Sequence, residues 1–265
     1  MPITSYIVEE GHGRGKGHTQ HGNGKGLGHL KHQDDAMADG EYTIVIQGIN
    51  HTNHTAVDQA TPFTTLADGS QMNTEVRRGS ISTGPAPAHD GDTTALRLQT
   101  DDSNGRLRVN DVFTSDQQVT LGDLDDLSFD YYVQSSDRTD VIPVIRLAID
   151  ADGNLATTGD RGELVFEYAY QGLPAVTQGS WQTADLAGDD WNAWQRSFGV
   201  NRDFYPNIVP LSDWSDASGF TPTGGLHFDE DSLVLGWSIA YGSGNGTGVM
   251  YLDNLQVAGV TYEFG

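Results

Sequence analysis

Leu127-Ser128-Phe129-Asp130-Tyr131-Tyr132-Val133 sets Leu127, Phe129, Tyr131 and Val133 on one side of an extended chain and Ser128, Asp130 and Tyr132 on the other. Successive side chains of a strand point to opposite faces, so this spacing is what a half-buried strand requires. The same spacing recurs downstream, at Leu164, Phe166, Tyr168 and Tyr170, and at Leu233, Leu235, Trp237, Ile239 and Tyr241. Further strands are expected over 42–47, 95–98, 106–109, 141–149, 181–186, 249–257 and 260–264, divided by turns such as Gly122-Asp-Leu-Asp-Asp and Asp150-Ala-Asp-Gly-Asn. Residues 50–94 read as loop, and 188–228 as irregular chain with a short helix near 192–197. No stretch carries a useful helical period, which excludes a parallel α/β fold. The expected architecture is all-β, an antiparallel β-sandwich of jelly-roll type over residues 41–265.

Residues 1–40 are expected to form a separate tail. From 11 to 33 glycine nearly alternates with polar residues, among them His12, His18, His21, His29 and His32. No apolar face exists there to offset the entropy of ordering, so the reading is a flexible N-terminal tail. Its basic character suits docking on an acidic neighbour. The histidines are a weak metal-binding signal, because none has rigid spacing on an expected element.

The net charge is −23, and its distribution is more informative than its size. The lysines are Lys16, Lys25 and Lys31, so residues 33–265 hold ten arginines, 35 acids and no lysine, a net of −25. Short, strongly hydrated aspartates keep a surface soluble where salt screens charge, which points to a salty setting. A field of this sign repels nucleic acid and anionic membranes and attracts divalent cations. Nothing approaches the roughly 18 consecutive apolar residues of a membrane span. With no cysteine there is neither a disulfide nor a thiolate site. The first ten residues lack the pattern of a secretory signal. Extracellular or cell-surface placement is expected nonetheless, with packaging into a virion as the alternative.

The strand sequence Leu127-Ser-Phe-Asp-Tyr-Tyr-Val, Ile145-Arg-Leu-Ala-Ile-Asp-Ala-Asp-Gly, Leu164-Val-Phe-Glu-Tyr, Trp181-Gln-Thr-Ala-Asp-Leu and Tyr251-Leu-Asp-Asn-Leu-Gln-Val resembles a group of uncharacterised secreted surface proteins of jelly-roll type. More loosely, it is similar to calcium-containing jelly-roll carbohydrate-binding modules. The likeness runs over about residues 70–265. It implies a sandwich, and a structural calcium held in part by an aspartate of the closing strand.

Two places could hold that ion. Asp150, Asp152 and Asn154 put oxygen donors at alternate positions of a tight turn, as a calcium loop does. The turn is not an EF-hand, since its glycine, Gly153, is fourth and Arg161 stands twelfth. Asp253 shares a face with Tyr251, Leu255 and Val257 by period 2, and a carboxylate on an apolar face needs a partner or a metal. Asp68, Asp90 and Asp92 are candidate co-ligands. For a carbohydrate, Trp191, Trp194, Trp214 and Tyr205 offer rings for stacking in the irregular segment, although tryptophan more often fills a core.

No nucleophile elbow or phosphate loop is present, and Gly242-Ser-Gly-Asn-Gly only looks like the former. The acids are too many for Glu163 and Glu167 to be singled out as an acid–base pair. The expected function is therefore non-enzymatic: a calcium-stabilised β-sandwich for adhesion, glycan binding or matrix assembly in high salt. The alternative is a structural subunit of a filament or virion whose partner is a further copy of itself.

Overall fold

The alternation at 127–133 forms a strand whose four large residues face the interior while Ser128, Asp130 and Tyr132 face outward. The computed structural model describes residues 6–10, 42–46, 50–53, 75–89, 91–113, 118–157, 159–197, 202–216, 225–242 and 244–264. Their strands form two sheets. Sheet A holds β1 (Tyr6–Glu10), β2 (Tyr42–Ile46), β3 (Asn50–Asn53), β5 (Gly79–His89), β6 (Asp92–Thr100), β9 (Leu127–Ser136), β12 (Trp181–Asp185), β16 (Gly248–Val257) and β17 (Val260–Glu263). Sheet B holds β4 (Glu75–Arg77), β7 (Arg106–Val112), β8 (Val119–Thr120), β10 (Val144–Asp150), β11 (Arg161–Phe166), β13 (Asn192–Ser197), β14 (Arg202–Pro210) and β15 (Leu233–Gly242). Every pairing is antiparallel except that of β17 with β2.

The winding follows from the neighbours of the two long strands near the C-terminus. In sheet A β16 lies between β6 and β9, and in sheet B β15 lies between β7 and β10. The connections β6–β7 and β9–β10 both pass from sheet A to sheet B, so the β15–β16 ribbon has a ribbon wound beside it on each side. This is jelly-roll winding. The sheets enclose one large apolar core that includes Leu96, Leu98, Leu107, Phe129, Leu147, Leu164, Ile239 and Leu252. Trp237 stands edge-on to Tyr262, with ring centroids 5.0 Å apart, and to Phe264. Those contacts fasten the C-terminal end of the chain to the core.

Several expectations are corrected by pairing that the local sequence does not reveal. The segment near 192–197 is strand β13 rather than helix, with partners on both sides in β11 and β14. Two ladders outweigh a six-residue helix, whose nucleation is costly. The α-helix, α1 (Leu211–Ser215), comes later and starts after Pro210. The stretch read as loop contains β3, β4 and β5. Strand β5 tolerates Pro85 and Pro87 because β3 pairs only with residues 79–82, leaving the later edge of β5 without a ladder to break. Strand β11 stops at Phe166, and Tyr168–Tyr170 turn as a 3-10 helix instead of extending the alternation.

Two β-bulges change which residues face the core. In β15, Ala148 pairs with Gly236 and Ile149 with Val234, so Leu235 is an extra residue. Trp237, Ile239 and Tyr241 then face the core with Val234, while Leu233 and Leu235 pack outside against Ala148. In β16, Asp253 pairs with Asp130 and Gln256 with Ser128, three steps against two. Asn254 takes up the extra residue at φ 48°, a left-handed conformation that Asn tolerates better than most residues. Met250 and Leu252 face the core before the bulge, and Leu255 and Val257 after it. Asp253 therefore lies on the side of Tyr251 and Asp130, not on that of Leu255 and Val257. Of the tail expected over 1–40, Tyr6–Glu10 form β1 against β2, and the rest, with its five histidines, lies outside the described residues, as do Asp68 and Asp90.

Candidate functional site

The outer face of sheet B gathers cations in an otherwise acidic chain. Alternation in β7 sends Arg106 and Arg108 outward while Leu107 and Val109 enter the core. Alternation in β13 does the same for Trp194 and Arg196 against Ala193 and the buried Gln195. Arg146 of β10 lies between them in the sheet. With Glu167, Val144 and Ala240 these residues line a cleft of about 230 Å³. Its apolar floor is a small cluster of Val144, Val165, Trp194 and Ala240.

Glu163 organises the cleft from below. Its side chain is fully buried, 3.1 Å from Arg146 Nη1 and 3.6 Å from Arg108 Nη1. The side chains of Arg108 and Arg146 are only 13% and 17% exposed, so the buried carboxylate holds two largely desolvated guanidinium groups in place. Trp194 donates its indole Nε1–H to Glu167 Oε2 at 3.0 Å, which fixes the ring plane. Among the lining residues four guanidinium groups meet Glu167 with Glu163 beneath, and in the strand register Glu75 stands across from Arg108 and Asp203 across from Arg196. Beside Arg146 in the cross-strand row stand Ser238 and then Asn110. Both are buried, and neither the Ser238 hydroxyl nor the Asn110 amide has a hydrogen-bond partner; the Arg146 Nε–H is likewise buried without an acceptor.

The outer face of sheet A carries a different arrangement. His89 stacks on Trp181 with centroids 4.5 Å apart, and Tyr132 leans on the same indole at 5.7 Å. Asp130 accepts from Thr183 Oγ1 (2.6 Å) and Asn254 Nδ2 (2.9 Å), and pairs with His89 Nε2 at 2.9 Å. Burial raises its pKa, but these hydrogen bonds outweigh it and hold the carboxyl below the ordinary range. Because His89 already covers one face of Trp181, this surface offers less open aromatic area than its composition implies.

The residues singled out from sequence fall in several places. Trp191 and Trp214 are buried in the main core, and the Trp214 indole N–H is donated to the Ala193 carbonyl at 3.1 Å. Trp194 lines the cleft, and Tyr205 belongs to β14. Asp253 is buried and accepts the backbone N–H of Phe264 at 3.1 Å, tying β16 to the end of the chain.

Asp150 and Asp152 come together with Asp160. One carboxylate oxygen from each lies within 4.8 Å of the others. Asn154 accepts the Ala156 N–H at 3.2 Å in the same turn. Asp150 is fully buried, and its Oδ2 accepts from Arg161 Nε at 2.8 Å. Its Oδ1 and Asp160 Oδ1 are buried without a hydrogen-bond partner. Burial raises the pKa of Asp150; Arg161 opposes this, and the charges of Asp160 and Asp152 add to it. Asp152, which accepts the Asn154 N–H, is held below the usual range. Three hard oxygens gathered on one turn are the donor type that calcium takes.

The cleft arginines do not stand out in the sequence as rings and converging carboxylates do. A signal existed, since Arg106 and Arg108 alternate with core residues and Arg196 follows Trp194 by two. It becomes a site only once β7, β10 and β13 are known to share a face.

No family model matches the chain, and no curated protein does. Among solved structures it is similar to two crystal structures of a family 30 carbohydrate-binding module. Each is 11% identical; the TM-scores are 0.38 and 0.39, covering 67% and 80% of this chain and 82% and 81% of the other. It is also similar to a carbohydrate-binding module specific for non-crystalline cellulose, at 12% identity and a TM-score of 0.33, over 67% of this chain and 79% of that one. These are modules of the kind to which the sequence is loosely similar. At such scores the likeness carries no argument about ligand, which has to come from the residues themselves.

Proposed function

We propose that this chain is a non-enzymatic, extracellular or cell-surface β-sandwich that binds glycan in the cleft of sheet B and is stabilised by calcium. Adhesion or matrix assembly in high salt is the setting its acidic surface suits. The observation that carries the reading is the cleft itself, where guanidinium donors border an apolar floor that includes the buried Trp194, fixed through Glu167. Hydrogen-bond donors around an apolar floor match a sugar, which presents an apolar face and a rim of hydroxyls. A glycan array probed with the folded chain, at low and at molar salt, tests it. Binding to a defined set of glycans, lost on Trp194→Ala with the fold intact, is the expected result; a blank array at both salts refutes the reading.

Calcium is supported by the buried oxygens of Asp150 and Asp160 that have no hydrogen-bond partner. Asp150, Asp152 and Asp160 would hold the ion, which would neutralise three converging carboxylates and brace the β10–β11 turn. A ligand bound only by the folded state stabilises it by about 2.7 kcal/mol at a hundred times Kd. For a domain of this size that is a rise in Tm of about 5–10 °C. The rise should vanish in Asp150→Asn. It should also shrink as pH falls through the raised pKa of Asp150, because protons then compete for the site. Differential scanning calorimetry with calcium and with chelator, at fixed ionic strength, checks this. A Tm indifferent to both removes calcium and leaves the glycan reading standing.

A further inference from the structure

Among the described residues the large hydrophobic side chains left exposed are Tyr170, at 41%, and Leu173, at 37%. Single exposed hydrophobics need no explanation, but these two share one loop. No charged residue occurs from Tyr168 to Ala184, in a chain that is 19% charged with a net charge of −23. Ala169, Gly172, Pro174 and Ala175 of the same loop are exposed as well. An aspartate-rich surface here gives way to an apolar, uncharged tip.

The loop is fastened from below along its length. Tyr168 stands edge-on to the buried Trp191, with centroids 5.8 Å apart, and its hydroxyl donates to the Pro174 carbonyl at 2.7 Å. Gln171 Nε2 donates to the carbonyls of Glu167 (2.8 Å) and Asn192 (2.9 Å), and its Oε1 accepts the Asn192 N–H at 2.6 Å. The Val176 N–H donates to the Thr139 carbonyl at 2.7 Å, and the Val176 side chain joins the core. Gly172 turns the chain at φ 66°. Tyr170 and Leu173 are therefore presented outward before any ligand arrives, so little ordering entropy remains to be lost on binding.

The loop also adjoins the cleft of sheet B. Glu167 lines that cleft, and Tyr170 lies one 3-10 turn away, its N–H donated to the Glu167 carbonyl at 3.1 Å. At about 230 Å³ the cleft is smaller than the roughly 300–1,000 Å³ of sites that enclose a whole small molecule, so a glycan held there continues past its rim. Two large hydrophobics are too few for a stable protein partner, which needs about 800 Å² on each side. They are enough for a sugar, whose apolar face covers a single aromatic ring.

Resting on the glycan reading above, we infer that loop 168–176 is a second contact of the same site and that the ligand is an uncharged polysaccharide. One ring lies in the cleft, and another, further along the chain, packs on Tyr170 beside Leu173. Carboxylated or sulfated glycans gain nothing from a loop without cations and meet the net negative charge of the chain. In the cleft, Glu163 pairs with Arg146, and Glu75 and Asp203 stand across from Arg108 and Arg196, so charge there is already opposed and no anion is required.

Calorimetric titration with gluco-, manno-, galacto- and xylo-oligosaccharides, each as disaccharide and hexasaccharide, tests the inference, with hexagalacturonate as the charged probe. In at least one series the hexasaccharide should bind about tenfold tighter than the disaccharide, the upper worth of one ring contact. Tyr170→Ala should bring that hexasaccharide to the level of the disaccharide with the circular dichroism spectrum unchanged. Tyr170→Phe, which keeps the ring, should retain the advantage. Leu173→Ser is the further variant, should Tyr170→Ala fail to fold, and should weaken the hexasaccharide by about threefold. Equal binding of short and long members, or an undiminished hexasaccharide affinity in Tyr170→Ala, overturns the inference and leaves the glycan reading intact. Loss of self-association in that variant, with saccharide affinity undiminished, would make the loop a protein interface instead. Hexagalacturonate bound as tightly as the best uncharged hexasaccharide also overturns the inference. Failure of every saccharide, with a blank array, overturns both.

Discussion

Replacing Arg161 with methionine should cost about 3–5 kcal/mol of stability at neutral pH, the penalty for leaving a buried charge without its partner. Arg161 and Asp150 are both buried, with Nε 2.8 Å from Oδ2, and the Arg161 Nη2–H also reaches the Leu155 carbonyl at 2.9 Å. Without the guanidinium, Asp150 keeps its desolvation and the repulsion of Asp152 and Asp160, so its pKa climbs further above the ordinary value. The sign of the pH dependence follows. A carboxyl whose folded pKa is raised stabilises the fold below its unfolded value, 3.8, and loses that contribution as pH rises through the folded pKa. The deficit of the variant should therefore be largest near pH 7 and smallest near pH 4. Urea unfolding at the two pH values measures it, and a deficit independent of pH would contradict the account. Saturating calcium should recover part of the loss, because the ion and Arg161 neutralise the same carboxylate.

Trp214→Ala should be about as damaging, at about 3–5 kcal/mol, as expected when a large aromatic leaves a packed interior. Trp214 is 1% exposed, lies 6.0 Å from the Phe228 ring, and bonds to the Ala193 carbonyl. Its removal opens a cavity under α1 and leaves that carbonyl without its indole donor, where β13 carries Trp194 and Arg196 on the opposite face. Chemical denaturation reads the loss of stability. Glycan affinity per folded molecule, measured in a stabilising osmolyte, should stay within about threefold of the parent, well under one hydrogen bond's worth. A large loss of affinity in molecules that remain folded would instead make Trp214 part of the binding surface.

The pairing of β15 and β16 with their neighbours explains why some positions were readable and others were not. Leu127, Phe129, Tyr131 and Val133 were assigned to the core from spacing alone, because β9 runs without a bulge through them. The same spacing misplaced Leu233 and Leu235 on the Trp237 face and Asp253 on that of Leu255 and Val257, because one extra residue reverses every side chain beyond it. Gly236 and Asn254 are the local hints of the bulges, yet glycine and asparagine are common enough in strands and turns that neither is decisive by itself. The acidic turn was half legible. Asp150 and Asp152 lie in one short run, whereas Asp160 joins them only because β10 and β11 form a hairpin that returns it there.

What the sequence determined by itself was class and surface composition. Side-chain period, turn residues and the loss of lysine are local or compositional properties, and they specify a lysine-poor, aspartate-coated sandwich without reference to any contact. The tertiary structure decided the site. Arg106 and Arg196 are 90 positions apart, and Arg146 stands between them only because β7, β15, β10, β11 and β13 are laid side by side. Strand order is set by which edges close the core with least exposed surface and fewest broken ladders. That is a property of the whole chain, and no window of its residues contains it.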